Sequence, residues 1–351
     1  MTRRDFVCGA GALAASALRP AFAAKPEAVR AVMLRPGRNM WGDWKLPDEE
    51  AETDGRKYVP DHVRFDESIW RETVLHMAER KMNMALIDLG EFMEFPSHPE
   101  LAVKGSWSPD RMRKELAWLR SLGIEPIPKL NFSATHDQWL KIYHRMISTP
   151  QYYQVVKDVI RDTAEVFGTP RFFHLGWDEE KGGFYAQDKG HVSYRQGKMW
   201  WHDFLYTVKC AEDCGCRAWV WSDYGWWHEE YCVRCPKSVV QSNWYYDEQC
   251  GKYSLDPKVN EHAYRLKQFL DMDKAGFDQI PCGTNWAGGK RQVEKLGADE
   301  VMCELVRYCR QNISPERLKG FLMASWTVLS ERGENYRNQM KGIDLLADAV
   351  M

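Results

Sequence analysis

The stretch SPDRMRKELAWLRSLGIEPIPKLNF, Ser108 to Phe132, reads as one complete helix-then-strand unit. Ser108 is a good N-cap, because its hydroxyl can accept an otherwise orphaned N–H of the first turn, and Pro109 suits the first helical position, where no N–H is needed. The helical pattern runs Pro109–Leu122. Ser121-Leu122-Gly123 is a stop signal, since glycine takes the left-handed conformation that ends a helix. A strand then follows over Glu125–Phe132. Outward from this unit the same alternation recurs about eight times. The other strands are expected at Ala28–Arg35, Met84–Leu89, Arg171–Gly176, Arg217–Ser222, Ser238–Trp244, Phe277–Thr284 and Leu318–Ser325. Helical patterns fall at Glu67–Lys81, Gln151–Phe167, Gly197–Asp213, Asn260–Ala275 and Val293–Gln311, while Trp226–Cys235 is short, aromatic and mostly loop. Eight such repeats are the signature of a closed parallel (β/α)8 TIM barrel, an α/β fold, here as a single domain over residues 25–351. The rival, a doubly wound open sheet, usually carries a glycine-rich phosphate loop after its first strand, and none is present.

The composition narrows the function classes. With 48 Lys and Arg against 50 Asp and Glu, the net charge of −2 lacks the basic surface that displaces phosphate counterions, so nucleic acid is not an expected partner. Sixteen Trp is far above ordinary usage, and flat indole faces are suited to the apolar side of a sugar ring as well as to a large core. Residues 1–24 read as a twin-arginine export signal: Arg3-Arg4, an apolar run from Gly9 to Leu18, and Ala21-Phe22-Ala23 as the cleavage site. The run is too short to cross a bilayer, and no other segment could, so a periplasmic or extracellular protein without stable membrane insertion is expected. Cys210, Cys214, Cys216, Cys232, Cys235 and Cys250 cluster in sequence, consistent with buried thiols, a disulfide or two, or a structural metal; Cys232-x-x-Cys235 has ligand spacing, but Cys210-x3-Cys214-x-Cys216 makes a poor partner for it.

In a TIM barrel the chemistry sits where the strands run out. Six of the eight strand ends carry a Trp: Trp41, Trp177, Trp221, Trp244, Trp286 and Trp326. Asp88, Asn131, His136, Asp223 and Asn285 supply polar groups at the same level. Indole walls with amides and carboxylates suit a neutral, polyhydroxylated ligand, so a carbohydrate is the expected partner. The sharpest feature is Phe172-Phe173-His174-Leu175-Gly176-Trp177-Asp178-Glu179-Glu180, a buried-looking strand ending in three consecutive carboxylates. Mutual repulsion and burial both raise a carboxyl pKa, and a carboxyl still protonated near neutrality can serve as a general acid. His174 is expected to be a core residue, and Glu180 is the alternative acid if the register slips by one.

The strand at 174–179 resembles the His-x-Gly-Gly-Asp-Glu motif of family 20 glycoside hydrolases, the β-N-acetylhexosaminidase-like enzymes, with Trp177 at the second Gly. Arg30-Ala-Val-Met-Leu-Arg35-Pro-Gly-Arg38 is similar to that family's first strand, with Arg35 in place of an Asp. His98 to His136 is similar to its second-to-third-strand stretch, with Lys129 and Asn131 replacing acidic residues. The likeness spans most of residues 28–331. It implies a retaining mechanism in which the substrate's 2-acetamido oxygen is the nucleophile, an exception to the two-carboxylate scheme. Glu179 then protonates the leaving oxygen and later activates water. Asp178 orients the acetamido N–H. Trp221, Trp244 and Trp326 enclose the sugar, with Trp177 and Trp286 adding to the walls. Arg30 binds ring hydroxyls, and Asp88 and His136 form a supporting pair; from its strand-end position alone, Asp223 is expected to bind a hydroxyl. Two departures stand out. Asn285 occupies the place of a Tyr that holds the acetamido carbonyl, and Trp326-Thr327-Val328 replaces Trp-x-Glu.

Two further readings remain from the sequence. One is a barrel that binds glycans without cleaving them. The other is a metal enzyme using His136, Asp88 and Asp178, for which no spaced His pair speaks. No metal or other cofactor is expected.

Overall fold

A computed structural model describes residues 27–37, 61–180, 195–246, 253–285 and 298–351. The export signal, Trp41, Cys250 and Trp286 lie outside the described residues. Strands and helices alternate strictly along the chain: β1 (Val29–Leu34), α1 (Glu67–Glu79), β2 (Met84–Asp88), α2 (Pro109–Ser121), β3 (Glu125–Lys129), α3 (Pro150–Val166), β4 (Phe172–His174), α4 (Gly197–Asp213), β5 (Arg217–Trp221), α5 (Tyr231–Arg234), β6 (Val240–Ser242), α6 (Ala263–Lys274), β7 (Cys282–Gly283), α7 (Ala298–Asn312), β8 (Gly320–Met323) and α8 (Glu334–Val350). All strands are parallel, in the order β6-β5-β4-β3-β2-β1-β8-β7. Bridges Gln241↔Gln279 and Trp244↔Cys282 join β6 to the β7 segment and close the circle. The fold is a (β/α)8 barrel, as the repeats predict.

Local chemistry sets the boundaries. Ser108 Oγ accepts the Arg111 N–H at 3.3 Å to start α2, and Gly123, at φ 78°, ends it. Asp66 and Thr149 cap α1 and α3 in the same way. Several strands are shorter than the sequence pattern. β7 is continuous only over Cys282–Gly283; upstream of it Gln279 is bridged to both neighbouring strands, and Pro281, with no N–H to give, stands between the two. β4 stops at His174 because the next residues turn left-handed, as described below. The weak fifth helix is a 3-10 turn over Asp223–Trp226 followed by the single turn of α5.

Alternation along the strands divides the core in two. Ala31, Met33, Met84, Leu86, Ile127, Trp219, Val240 and Leu322 fill the barrel lumen, while Val32, Leu34, Ala85 and Ile87 face the helices. His174 lies in the lumen between Trp219 and Trp221, with ring centroids 5.0 and 4.6 Å away, and burial holds its pKa well below the usual value. The described cysteines, Cys210, Cys214, Cys216, Cys232, Cys235, Cys282, Cys303 and Cys309, are free thiols. Among the described residues no helix is long and apolar enough to cross a membrane.

Candidate active site

The site begins where β4 leaves the sheet. Gly176 (φ 74°), Trp177 (φ 72°) and Glu179 (φ 61°) are all left-handed. Glycine is required at 176: a Cβ there would stand 2.0 Å from Asn131 Oδ1. For Trp177 and Glu179 the conformation costs about 1–3 kcal/mol each, so the surroundings must impose it. They do so through a dense set of bonds. Asn131 Oδ1 accepts the N–H groups of Ser133 (3.0 Å) and Trp177 (3.2 Å). Ser133 Oγ donates to the Asp178 carbonyl at 2.6 Å. Asp223 Oδ2 accepts the Glu179 N–H at 2.8 Å. Glu180 accepts the Ala134 N–H at 2.7 Å and is ion-paired with Arg195, whose guanidinium also lies 4.3 Å over the Trp177 ring. The turn after β4 is thereby stapled to the turn after β3.

This twist separates the three carboxylates chemically. Asp178 is buried, and its Oδ1 accepts Asn131 Nδ2 at 2.7 Å. Burial raises its pKa, with the neighbouring Glu179 charge adding to the rise and His136 and Lys129 opposing it. Glu179 is more open, with 24% of its side chain exposed against 6% for Asp178, and its Oε2 lies 3.0 Å from His136 Nε2. Glu180 is wholly buried in the Arg195 ion pair, which makes it a strut; an acid that must reach a substrate cannot sit there. Asp223 is buried beside the pair, and burial followed by the Asp178 charge pushes it up to about 8. Its Oδ1 has no hydrogen-bond partner among the described residues. Its Oδ2 bond to Glu179 shows that it belongs to the same constellation.

A cavity of about 580 Å³ opens over Glu179 and Asp223, walled by Trp226, Trp227, Trp244 and Tyr264, with Arg265 reaching into it. Trp244 meets Trp226 edge-on at 4.3 Å and stacks on Tyr246 at 4.9 Å. Trp326 faces Trp221 at 5.7 Å and Tyr246 at 6.5 Å, so indoles from the ends of β5, β6 and β8 converge above the lumen. Trp221 is buried with its Nε1 unpaired among the described residues. Unpaired polar atoms at a strand-end mouth are what a ligand rich in hydroxyls satisfies.

Asp178, Glu179, His136, Asp223, Trp221, Trp244 and Trp326 therefore gather at one end of the barrel. Three other positions singled out in the sequence are placed elsewhere, and Asp88 has a different partner from the one expected. Arg30 sits at the beginning of β1, at the opposite end, where it pairs with Glu27 at 2.6 Å and donates to the Lys81 carbonyl at 2.7 Å. Arg35, five positions on and facing inward, is the β1 arginine at the mouth; it donates to the Trp326 carbonyl at 2.8 Å and approaches Asp88 at 4.0 Å. Trp177, three positions after the inward His174, lies on the helix side and is buried against Trp200 and Phe204 of α4, its Nε1 donating to Thr207 at 3.0 Å. Asn285 faces the other way, donating to the Asn338 carbonyl on α8 at 2.8 Å. Asp88 is held by Lys129 at 2.7 Å in the lumen, while His136 serves the acid pair.

The sequence reading missed Arg195, Trp226, Trp227, Tyr264 and Arg265. Their signals are diffuse, since each acquires its role only by meeting residues from another repeat. His136, Asp178 and Glu179 also present ligand atoms within 4.8 Å of one another, a spacing that a divalent cation can bridge. Asp88, which the metal reading of the sequence included, is committed to Lys129.

No protein-family model matches the sequence, and no curated protein does. Similarity appears among solved structures. A β-N-acetylhexosaminidase superposes with TM-score 0.60 at 13% identity, covering 92% of this chain and 71% of its own. The Bacteroides fragilis β-N-acetylhexosaminidase gives 0.60 at 15%, covering 91% and 65%. The Streptomyces plicatus N-acetyl-β-hexosaminidase, solved in complex with thio-NAglucal, gives 0.58 at 13%, covering 91% and 63%. The chain thus spans about two thirds of the length of these proteins. At such identities the likeness is one of fold: this chain is built on the same barrel as these three hexosaminidases.

Proposed function

We propose that the protein is a glycoside hydrolase acting on terminal β-linked N-acetylhexosamines, with the substrate's acetamido group as nucleophile. The observation that carries this reading is the unequal setting of two adjacent acids. Glu179 opens to an aromatic cavity, while Asp178 is buried with one oxygen fixed by Asn131. Glu179 is suited to deliver a proton to the leaving glycosidic oxygen, with His136 holding its carboxyl in place. Asp178 Oδ2 is suited to accept the acetamido N–H, which makes the acetamido carbonyl oxygen a better nucleophile. That oxygen attacks C1 as the C1–O bond breaks, giving a fused cyclic adduct. Glu179, now the base, takes a proton from water; the water oxygen attacks C1, the ring opens, and the β configuration returns. The third acid, Asp223, is suited only poorly to attack C1 itself, because a carboxyl that titrates near pH 8 is mostly protonated at neutrality. Export through the twin-arginine leader would bring this activity to glycans outside the cytoplasm.

The test compares aryl N-acetyl-β-glucosaminide and N-acetyl-β-galactosaminide with the aryl β-glucoside and β-galactoside. Turnover confined to the acetamido sugars is expected. Equal turnover of the 2-hydroxy sugars would contradict the assignment, and binding without turnover would favour a glycan-binding barrel.

A further inference from the structure

Arg265, in the first turn of α6, is a cation lining the cavity whose charge meets no carboxylate among the described residues. Its guanidinium carbon lies 4.5 Å from the Trp226 ring, 4.7 Å from Trp244 and 5.7 Å from Tyr264. Its Nε donates to the Tyr264 hydroxyl at 3.2 Å. The other cavity arginine, Arg195, is consumed by Glu180 and Asp203.

The platform beneath Arg265 is prebuilt. Asn243 is buried and bonds both sides of it: Nδ2 donates to the Arg265 carbonyl at 2.8 Å, and Oδ1 accepts Trp226 Nε1 at 2.8 Å. One amide thus fixes the arginine's backbone and the indole on which its side chain lies. Stacking on indoles satisfies the faces of a guanidinium but leaves its in-plane N–H groups, a fork that fits two oxygens of one anion. A neutral hydroxyl takes only one of these N–H groups, whereas a sulfate ester or a carboxylate matches the fork in charge and shape.

We propose that Arg265 makes the site selective for anionic glycans: a terminal N-acetylhexosamine that carries a sulfate ester, or one joined to a uronic acid. This rests on the hexosaminidase reading given above. The turn after β5, the residues just after β6 and the first turn of α6 supply the anion pocket, and Glu179 lines the same cavity, so charge recognition and cleavage share one space.

The test uses the full chain and its R265Q and R265K variants. Four substrates form two arms: aryl N-acetyl-β-glucosaminide with and without a 6-O-sulfate, and a terminal N-acetylgalactosamine β-linked to glucuronic acid or to glucose. In the wild type, kcat/KM for the anionic member of at least one arm should exceed that of its neutral counterpart by about tenfold or more, mainly through KM, because a charge-assisted bond to the fork is formed on binding. The arm that responds identifies the anion. R265Q should bring the ratio close to one. R265K, which keeps the charge without the fork, should fall between them, and it carries the comparison if R265Q melts early. A wild-type ratio near one in both arms, or a ratio unmoved in R265Q, overturns the proposal. If none of the four is cleaved, the hydrolase reading fails on its own, and calorimetry with N-acetylglucosamine 6-sulfate and the uronate disaccharide decides the rest. Anion binding lost in R265Q then supports charge selection, and anion binding equal to that of the neutral sugars overturns it.

Discussion

On the proposed mechanism, Glu179→Gln should lower kcat on β-N-acetylhexosaminides by about 10²–10⁴-fold, the contribution of a positioned general acid. Glutamine keeps the shape of the side chain and can still bond His136, so binding and folding should change little. It cannot transfer a proton. The size of the loss should depend on the leaving group. A nitrophenolate departs with little protonation, so its hydrolysis falls toward the lower end. A disaccharide, whose leaving alkoxide needs the proton, falls toward the upper end. Steady-state kcat on both substrates measures this. A uniform loss of less than about fivefold would remove Glu179 from the acid role. Glu180 offers no alternative, because its carboxylate is locked to Arg195 and the Ala134 N–H.

Asp223→Asn flattens the dependence of stability on pH. The sign follows from the proton balance. The Asp223 carboxyl titrates near 8 in the folded protein, against an ordinary value of 3.8. Between those values the folded state holds a proton that the unfolded chain has released, so stability falls as pH rises through this window. Each unit of displacement corresponds to about 1.4 kcal/mol; allowing for coupling to Asp178, roughly 3 kcal/mol should be lost in the wild type between pH 4 and pH 8.5 on account of this group. Asparagine mimics the protonated acid, still accepts the Glu179 N–H and carries no charge to bury. Relative to the wild type, D223N should gain little at pH 4 and about 3 kcal/mol at pH 8.5, read from urea unfolding at both values. Identical pH slopes in the two proteins would show that Asp223 ionises normally.

The barrel was legible because punctuation and period agree in each repeat. Ser108-Pro109 opens α2, Leu122-Gly123 closes it, and the strand that follows places its next residues at the mouth. The place of Asp178 and Glu179 was legible for the same reason, as carboxylates at the end of a buried strand. Side-chain direction was harder. Trp177 resembled a wall residue only by its place at a strand end; three positions after the inward His174, the two-residue period already assigns it to the helix side, where it packs on Trp200 and Phe204. Arg30 and Arg35 differ by five positions, so they point to opposite faces of a strand with a two-residue period, and only the inward, later one reaches the site. Asn285 follows the inward Thr284 and so faces α8. Arg265 and Trp226 could not be paired from sequence, since Asn243 of a third segment brings them together.

The participation of the acetamido group is tested most directly by aryl β-glucosaminides in which the N-acetyl methyl carries none, one, two or three fluorines. Fluorine draws electrons from the carbonyl oxygen and weakens its attack on C1. The expected result is a monotonic fall in kcat of about a hundredfold or more across the series, equivalent to about 2.7 kcal/mol in the barrier. Rates that stay level along the series would mean that a protein group or water attacks C1 instead, and the central reading of Asp178 and Glu179 would be contradicted.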